Sequence, residues 1–417
     1  MPSQPDVLIA GAGPAGSSMA TWLARAGHRV LAVDRAAFPR DKPCSEYLSP
    51  AAVELLDRLG VVADLERSGA QPLTGTRVFG PRGAPLAGSF ARAPVPPPRA
   101  EGLAVARRVL DARLVQAARE AGAEVRERTT VEDLLYAEGG VAGAVLRDAS
   151  GKRTAVHARI VVGADGLRSL VARRIGKRRR GFPARLAFVA HVGDVPGLDG
   201  YAEMHVGTEG YVGLNRIWAG SPPHDGTAPR FASVSNVALV VPTTRAAEAR
   251  GRLEEFFFSR LERFPGVGTR VRRENLMDDV LVTGPFAAWS GRVTTGGALL
   301  VGDAADFFDP FTGEGIYSAL RGAALASETV HAALAAGRGP VSAAQLAGYG
   351  RARRAAFLGK WAVERLVGYG MTVPALFDRA VRKLERRGLA DTFIAVTADL
   401  VPARMVLHPW FLARMVL

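Results

Sequence analysis

Three glycines spaced Gly11-x-Gly13-x-x-Gly16 leave this chain few ways to fold. They follow the apolar run Val7–Ala10 and open the stretch Ser17–Ala26, which has one small, apolar helical face and stops at Gly27. A second apolar run, Val30–Val33, ends on Asp34. Strand, glycine turn, helix, strand and terminal acid in that order predict a dinucleotide site. Gly11 permits the tight turn, Gly13 lets the backbone approach a pyrophosphate, and Gly16 lets helix and strand pack closely. Pro14 and Ala15 stand at the helix mouth, where free N–H groups and the positive dipole end face the phosphates. Asp34, 18 residues after Gly16, is placed to accept hydrogen bonds from a ribose diol, with Arg35 beside it.

Two distant segments select the nucleotide. "VVGADGLRS" is a strand ending in Asp165-Gly166, and "LLVGDAADFFDPFTGEGI" is a strand ending in Gly302-Asp303, followed by Pro310 and a helix start at Gly313, Gly315 and Ile316. Asp303 suits a ribityl or ribose hydroxyl. Backbone N–H groups from Gly313 to Ile316 suit the electron-rich edge of a reduced flavin. These features point to FAD.

Together the three segments resemble the flavoprotein fold of the group A aromatic hydroxylases and geranylgeranyl reductases, over most of residues 6 to 345. The resemblance implies a Rossmann-type FAD-binding α/β domain of the glutathione-reductase-like and p-hydroxybenzoate-hydroxylase-like kind. An antiparallel substrate sheet is inserted in it and a helical tail follows. The expected division is 1–80, 100–178 and 285–345 for the FAD-binding parts, 81–99 for a Pro/Gly/Ala-rich crossing loop, 179–284 for the substrate domain and 346–417 for the helical region. The resemblance also places Arg107 near the FAD phosphates, Val131 at the adenine, and Asp165 where FAD and the pyridine nucleotide both bind. NADH or NADPH is the implied reductant.

The segment "DKPCSEYLSP" holds the single cysteine of the chain, Cys44. It resembles the cysteine segment of the reductases that runs beside the flavin ring, so Cys44 and Ser45 are expected at the isoalloxazine. Cys44 is then a proton donor, a polar lining atom or a small filler. Glu46 and Tyr47 are candidates for orienting a substrate. The departures count too. The reductases carry small glycines after the cysteine, and their prenyl-pocket pattern is missing from the matching stretch Tyr211–Ile217. Hydroxylation of a hydrophobic aromatic, quinone or polyketide-type lipid is therefore favoured over carbon–carbon double-bond reduction of a prenyl lipid. A non-catalytic prenyl carrier is a distant third. The Trp-rich motif of flavin-dependent halogenases is absent.

Composition narrows partners rather than chemistry. One cysteine excludes a disulfide framework and fits a reducing cytoplasm. The seven histidines are scattered, with no i, i+4 pair, so no metal site is expected; His191 and His205 read as satisfied histidines of the substrate sheet. A net charge of +14 favours anionic partners, but no basic helix interleaved with aromatics argues for nucleic acid. "GKRRRG" reads as a solvated turn, or else as an attractor of an NADPH phosphate or acidic lipid. No leader or membrane-spanning run is expected. The C-terminal stretch mixing Arg404 and Arg414 with Trp410 and Phe411 reads as a strap over the substrate domain or as a peripheral membrane contact.

Overall fold

A computed structural model describes residues 4–219 and 230–416. Met1–Ser3, on which the expectation about a leader partly rests, and Leu417 of the C-terminal stretch lie outside the described residues. The first sheet has six strands in the order Thr294–Thr295, Ala298–Leu300, Ile160–Gly163, Val7–Ala10, Val30–Val33 and Glu124–Arg126. All neighbours pair in parallel except the first two. Its central strands are buried on both faces, which explains why they read as unbroken apolar runs. One face packs on the helices Pro14–Arg25 and Gly315–Ala335, through Met19, Leu23, Ala323 and Val330. The other face is covered by a three-stranded antiparallel meander of Thr130–Ala137, Gly140–Arg147 and Arg153–His157.

The second large sheet has seven strands: Leu281–Thr283, Arg185–Gly193, Ser233–Pro242, Tyr211–Ala219, Tyr201–Val206, Gly75–Phe79 and Pro85–Ser89. Only the pair Tyr201–Val206 with Gly75–Phe79 is parallel. One face buries Phe188, Val212, Leu214 and Leu239 under Phe256, Phe257 and Leu261 of the helix Leu253–Leu261. The opposite face presents Ala187, Val189, Ala238 and Tyr211 to the nucleotide domain and the helical tail.

Two expectations need correction. Gly75–Phe79, expected in the first FAD-binding part, and Pro85–Ser89, within the segment 81–99 expected as a loop or a crossing into the substrate domain, supply the last two strands of this sheet. Pro85 is tolerated because it begins an edge strand. Gly88 hides the alternation because a Cβ there would meet the Ile394 side chain at 2.5 Å. The small residue is what admits the helix Ala390–Thr397 against the sheet edge.

The tail begins with the helix Ala343–Gly370, whose start is closed by a reciprocal Ser342–Gln345 capping box. The helices Pro374–Arg386, Ala390–Thr397, Arg404–Leu407 and Pro409–Val416 follow. Val406 and Phe411 are buried in the core beneath the seven-stranded sheet, while Trp410 is exposed with the Arg414 guanidinium over its ring. Among the described residues no helix is long and apolar enough to cross a membrane.

Candidate active site

A cavity of about 820 Å³ runs from the glycine turn, between the two large sheets, to the apolar face of the seven-stranded sheet. Of the residues expected at the cofactor, all but Gly16 line it: Gly11, Gly13, Pro14, Ala15, Asp34, Arg35, Cys44, Ser45, Arg107, Val131, Asp165, Gly302, Asp303, Pro310, Gly313, Gly315 and Ile316. Gly16 sits behind the turn instead. A Cβ on it would lie 1.8 Å from the Gly11 carbonyl oxygen, so its role is helix–strand approach. Gly11 has φ +98° and faces the Ala164 carbonyl. A Cβ on Gly13 would meet only the tip of Arg40, at 3.7 Å, so that stretch of backbone is open to a phosphate.

Asp34 accepts the Ala12 N–H on Oδ2 and the Ala36 N–H on Oδ1, both at 2.9 Å. It therefore holds the glycine turn to the second strand, and each oxygen keeps a lone pair for a diol. Asp165 accepts the Leu170 N–H at 2.7 Å through Oδ2, while its buried Oδ1 has no partner. Burial pushes the Asp165 carboxyl above the usual range. Burial does the same to Asp303, against the pull of Lys42, Arg107 and Arg178. The open glycine backbone, the orphaned Asp165 oxygen and these cations are what FAD needs: donors for a pyrophosphate and acceptors for sugar hydroxyls.

Three basic residues were not foreseen in these positions. Lys42 lines the cavity, and burial lowers its ammonium pKa. Arg40 bridges to Asp111 at 3.0 Å. Arg178, read above as part of a solvated turn, instead donates to the Ala304 and Asp303 carbonyls, both at 3.0 Å, and to Leu167 O at 3.2 Å. It locks the Asp303 loop to the Asp165 loop. Lys177, Arg179 and Arg180 of that run are exposed.

Around Cys44 the outcome is mixed. Arg107 is buried, forms a bidentate pair with Asp111 at 2.9 and 2.7 Å, and has the Cys44 thiol as an electrostatic neighbour. Burial works against the guanidinium charge, but Asp111 and Cys44 outweigh it and hold its pKa above the usual value. The thiol thus has a cationic neighbour that sequence alone did not supply. Tyr47 lines the cavity, and a Cβ at Gly313 would touch its ring at 2.7 Å. Burial, then the Glu314 charge, push the Tyr47 phenol well above its ordinary pKa.

Glu46 does not face the cavity, contrary to its expected role in orienting substrate. Its φ of 55° turns the side chain away. Oε1 accepts the Arg107 backbone N–H at 2.7 Å, and Oε2 lies 2.8 Å from His191 Nε2. His191 Nδ1 lies 2.7 Å from Asp278 Oδ2. Burial pulls the imidazolium down, but hydrogen bonds to Asp278 and Glu46 prevail and its pKa is pushed up to about 10. Because the folded value exceeds the unfolded one, the stabilisation is complete below pH ~6.5 and disappears as pH rises through about 10. His191→Gln should flatten the stability–pH curve over that window. Thermal melts from pH 6 to 10 check this; an unchanged slope would contradict it. His205 is paired with Glu203 at 2.9 Å and stacks on Phe79, so it is satisfied.

At the far end of the cavity, Tyr211 donates to Asp309 Oδ1 at 2.7 Å, and Arg185 donates to Asp309 Oδ2 at 2.5 Å. Burial, then the Asp309 charge, raise the Tyr211 pKa well above its ordinary value. Behind Gly313 a buried network joins the tail to the flavin-side loop. Ser49 donates to Glu314 at 3.1 Å, and Lys360 meets Asp399 at 2.8 Å and Glu364 at 3.3 Å. Among the described residues no group of three or more His, Cys, Asp or Glu is arranged to hold a metal ion.

The family profile of the FAD binding domain matches residues 4–359. The chain belongs to that family. It is 32% identical over 344 residues to the menaquinone reductase of Mycolicibacterium smegmatis, covering 79% of this chain and 76% of the relative. It is 29% identical over 342 residues to the digeranylgeranylglycerophospholipid reductase of Methanosarcina acetivorans, covering 80% and 76%. Its fold is that of the myxobacterial chondrochloren halogenase, with a TM-score of 0.78, 23% identity and coverage of 100% and 95%. The chain is an FAD-dependent oxidoreductase.

Proposed function

We propose that the chain is an NAD(P)H-dependent flavin hydroxylase of a hydrophobic aromatic or quinone-type lipid. One observation carries this reading: the substrate end of the cavity is apolar apart from Asn215 and Asn236, and its two phenols hold their protons tightly. Val189, Met204, Ala238, Phe286 and Phe311 line it, and the Tyr47 and Tyr211 hydroxyls both have pKa values well above neutral. Such a wall keeps water out and positions a ring, as oxygen insertion requires. It is a poor source of a proton for carbon. FAD, when bound and reduced, would supply the activation of O₂. The balance is one O₂, one NAD(P)H and one proton per ring C–H converted to C–OH, with water and NAD(P)⁺ leaving. Arg185 and Asp309 fix Tyr211 as a wall, and the Arg178 contacts hold the Asp303 loop in place.

A second reading has its own support. Cys44 faces the cavity, and the relatives matched in sequence are named as reductases. In that reading hydride reaches a carbon–carbon double bond and the thiol gives the proton.

Oxygen uptake separates the two. With FAD, NADPH and 4-pentylphenol, the hydroxylase reading expects uptake that matches formation of the dihydroxy product. Absence of that product, with anaerobic NADPH oxidation that saturates one side-chain double bond of a prenylated naphthoquinone, would replace it by the reductase reading.

A further inference from the structure

In the middle of the cavity-facing side of the seven-stranded sheet, small apolar residues give way to one polar register. There His191, Asn236 and Asn215 stand side by side on three adjacent strands. His191 is committed to Asp278 and Glu46. Three of the four polar atoms of the two amides are not. Asn215 is 3% and Asn236 0% exposed, and both line the cavity. Asn215 Nδ2, Asn236 Nδ2 and Asn236 Oδ1 have no hydrogen-bond partner among the described residues. An orphaned buried amide is a net cost to the fold, and side chains of this kind ordinarily have partners. Two of them abreast on an otherwise apolar wall suit a ligand that completes them.

The neighbouring register fits the rest of that ligand. Val189, Ala238 and Gly213 stand next to the amides, and one register further Tyr211 closes the far end on Asp309. Four residues of strand separate Asn215 from Tyr211, roughly 13 Å. Between them the floor is low, since Gly213 has no side chain and Ala238 has only a methyl. A flat ring can lie there with its edge at the amides.

We propose that Asn215 and Asn236 form the polar end of the substrate pocket and hold the hydroxyl of a phenolic or hydroquinone ring. The free groups are two amide NH₂ groups and one carbonyl oxygen, which match a hydroxyl that both accepts and donates. A carboxylate would need a cation, and His191, the cation of that row, is already neutralised by two carboxylates. This subsite rests on reading the cavity as the pocket of a flavin enzyme for hydrophobic rings.

Binding to the oxidised, FAD-loaded protein without reductant tests the subsite apart from turnover. The probes are 4-pentylphenol, 4-pentylanisole and pentylbenzene, followed by perturbation of the flavin absorbance. The parent protein should bind the phenol about tenfold or more tightly than the other two, a difference of ~1.4 kcal/mol or more. Asn236→Leu and Asn215→Leu should erase that preference and leave pentylbenzene binding equal or tighter. Both variants should melt no lower than the parent, since each removes an orphaned amide. Equal binding of the three probes by the parent would overturn the proposal. So would a preference that survives both substitutions, or an equal loss of all three probes. A phenol preference without hydroxylation would leave the subsite standing and remove the hydroxylase reading. Hydroxylation without a preference would do the reverse.

Discussion

Gly16→Ala should give a colourless protein. The added Cβ would stand 1.8 Å from the Gly11 carbonyl oxygen and 3.3 Å from the Ala164 methyl, and neither can retreat without moving the first strand or its helix. The turn that presents Gly11 and Gly13 to the pyrophosphate would open. FAD affinity should fall by about 100-fold or more, ~3 kcal/mol. Gly13→Ala provides the contrast, because its Cβ meets only the flexible end of Arg40 at 3.7 Å. That variant should fold with an unchanged melting temperature and lose about tenfold in FAD affinity, ~1.4 kcal/mol, because a methyl group crowds the phosphate. Fluorescence titration of the apoproteins with FAD reads both. A yellow, stoichiometric Gly16→Ala protein would refute the assigned geometry.

The second large effect is expected at Arg185. It and Asp309 are each 5% exposed, and Arg185 also donates to the Gly368 carbonyl at 3.1 Å. The pair ties the seven-stranded sheet to the flavin-side loop and to the long tail helix. Arg185→Met leaves the Asp309 charge with only Tyr211 and the Phe311 N–H as partners. Stranding one member of a buried pair costs ~3–5 kcal/mol. The melting temperature should drop by roughly 3–6 °C. The double variant Arg185→Met/Asp309→Leu should recover part of the loss, since no charge is then left alone. Thermal denaturation of the three proteins measures it, and a single variant as stable as the parent would show that the pair holds nothing together.

What could be read in advance follows the range of the forces involved. The glycine turn, Asp34, the Asp165 loop and the Asp303 loop are local: each needs only a strand end and a few residues of turn chemistry. Arg107 could be placed through resemblance, but its contact with Cys44 joins residues far apart in the chain and became visible only in the fold. Glu46 was misjudged because one backbone angle, φ 55°, decides which way its carboxylate points. The row of His191, Asn236 and Asn215 was hidden for another reason. Alternation tells which face a strand residue takes, but not which residues of other strands stand beside it. The edge strand Pro85–Ser89 escaped because a proline and a glycine conceal its pattern, and both are there for packing at a sheet edge.

We propose that this FAD-dependent oxidoreductase uses its apolar cavity to place a ring for oxygen insertion. Turnover of 4-pentylphenol with NADPH under ¹⁸O₂, followed by mass spectrometry, tests it most directly. The expected product is heavier by one ¹⁸O atom, with none drawn from ¹⁶O water. Unlabelled substrate recovered intact, alongside a prenylated quinone whose side chain has gained two hydrogens at one double bond under argon, would contradict it.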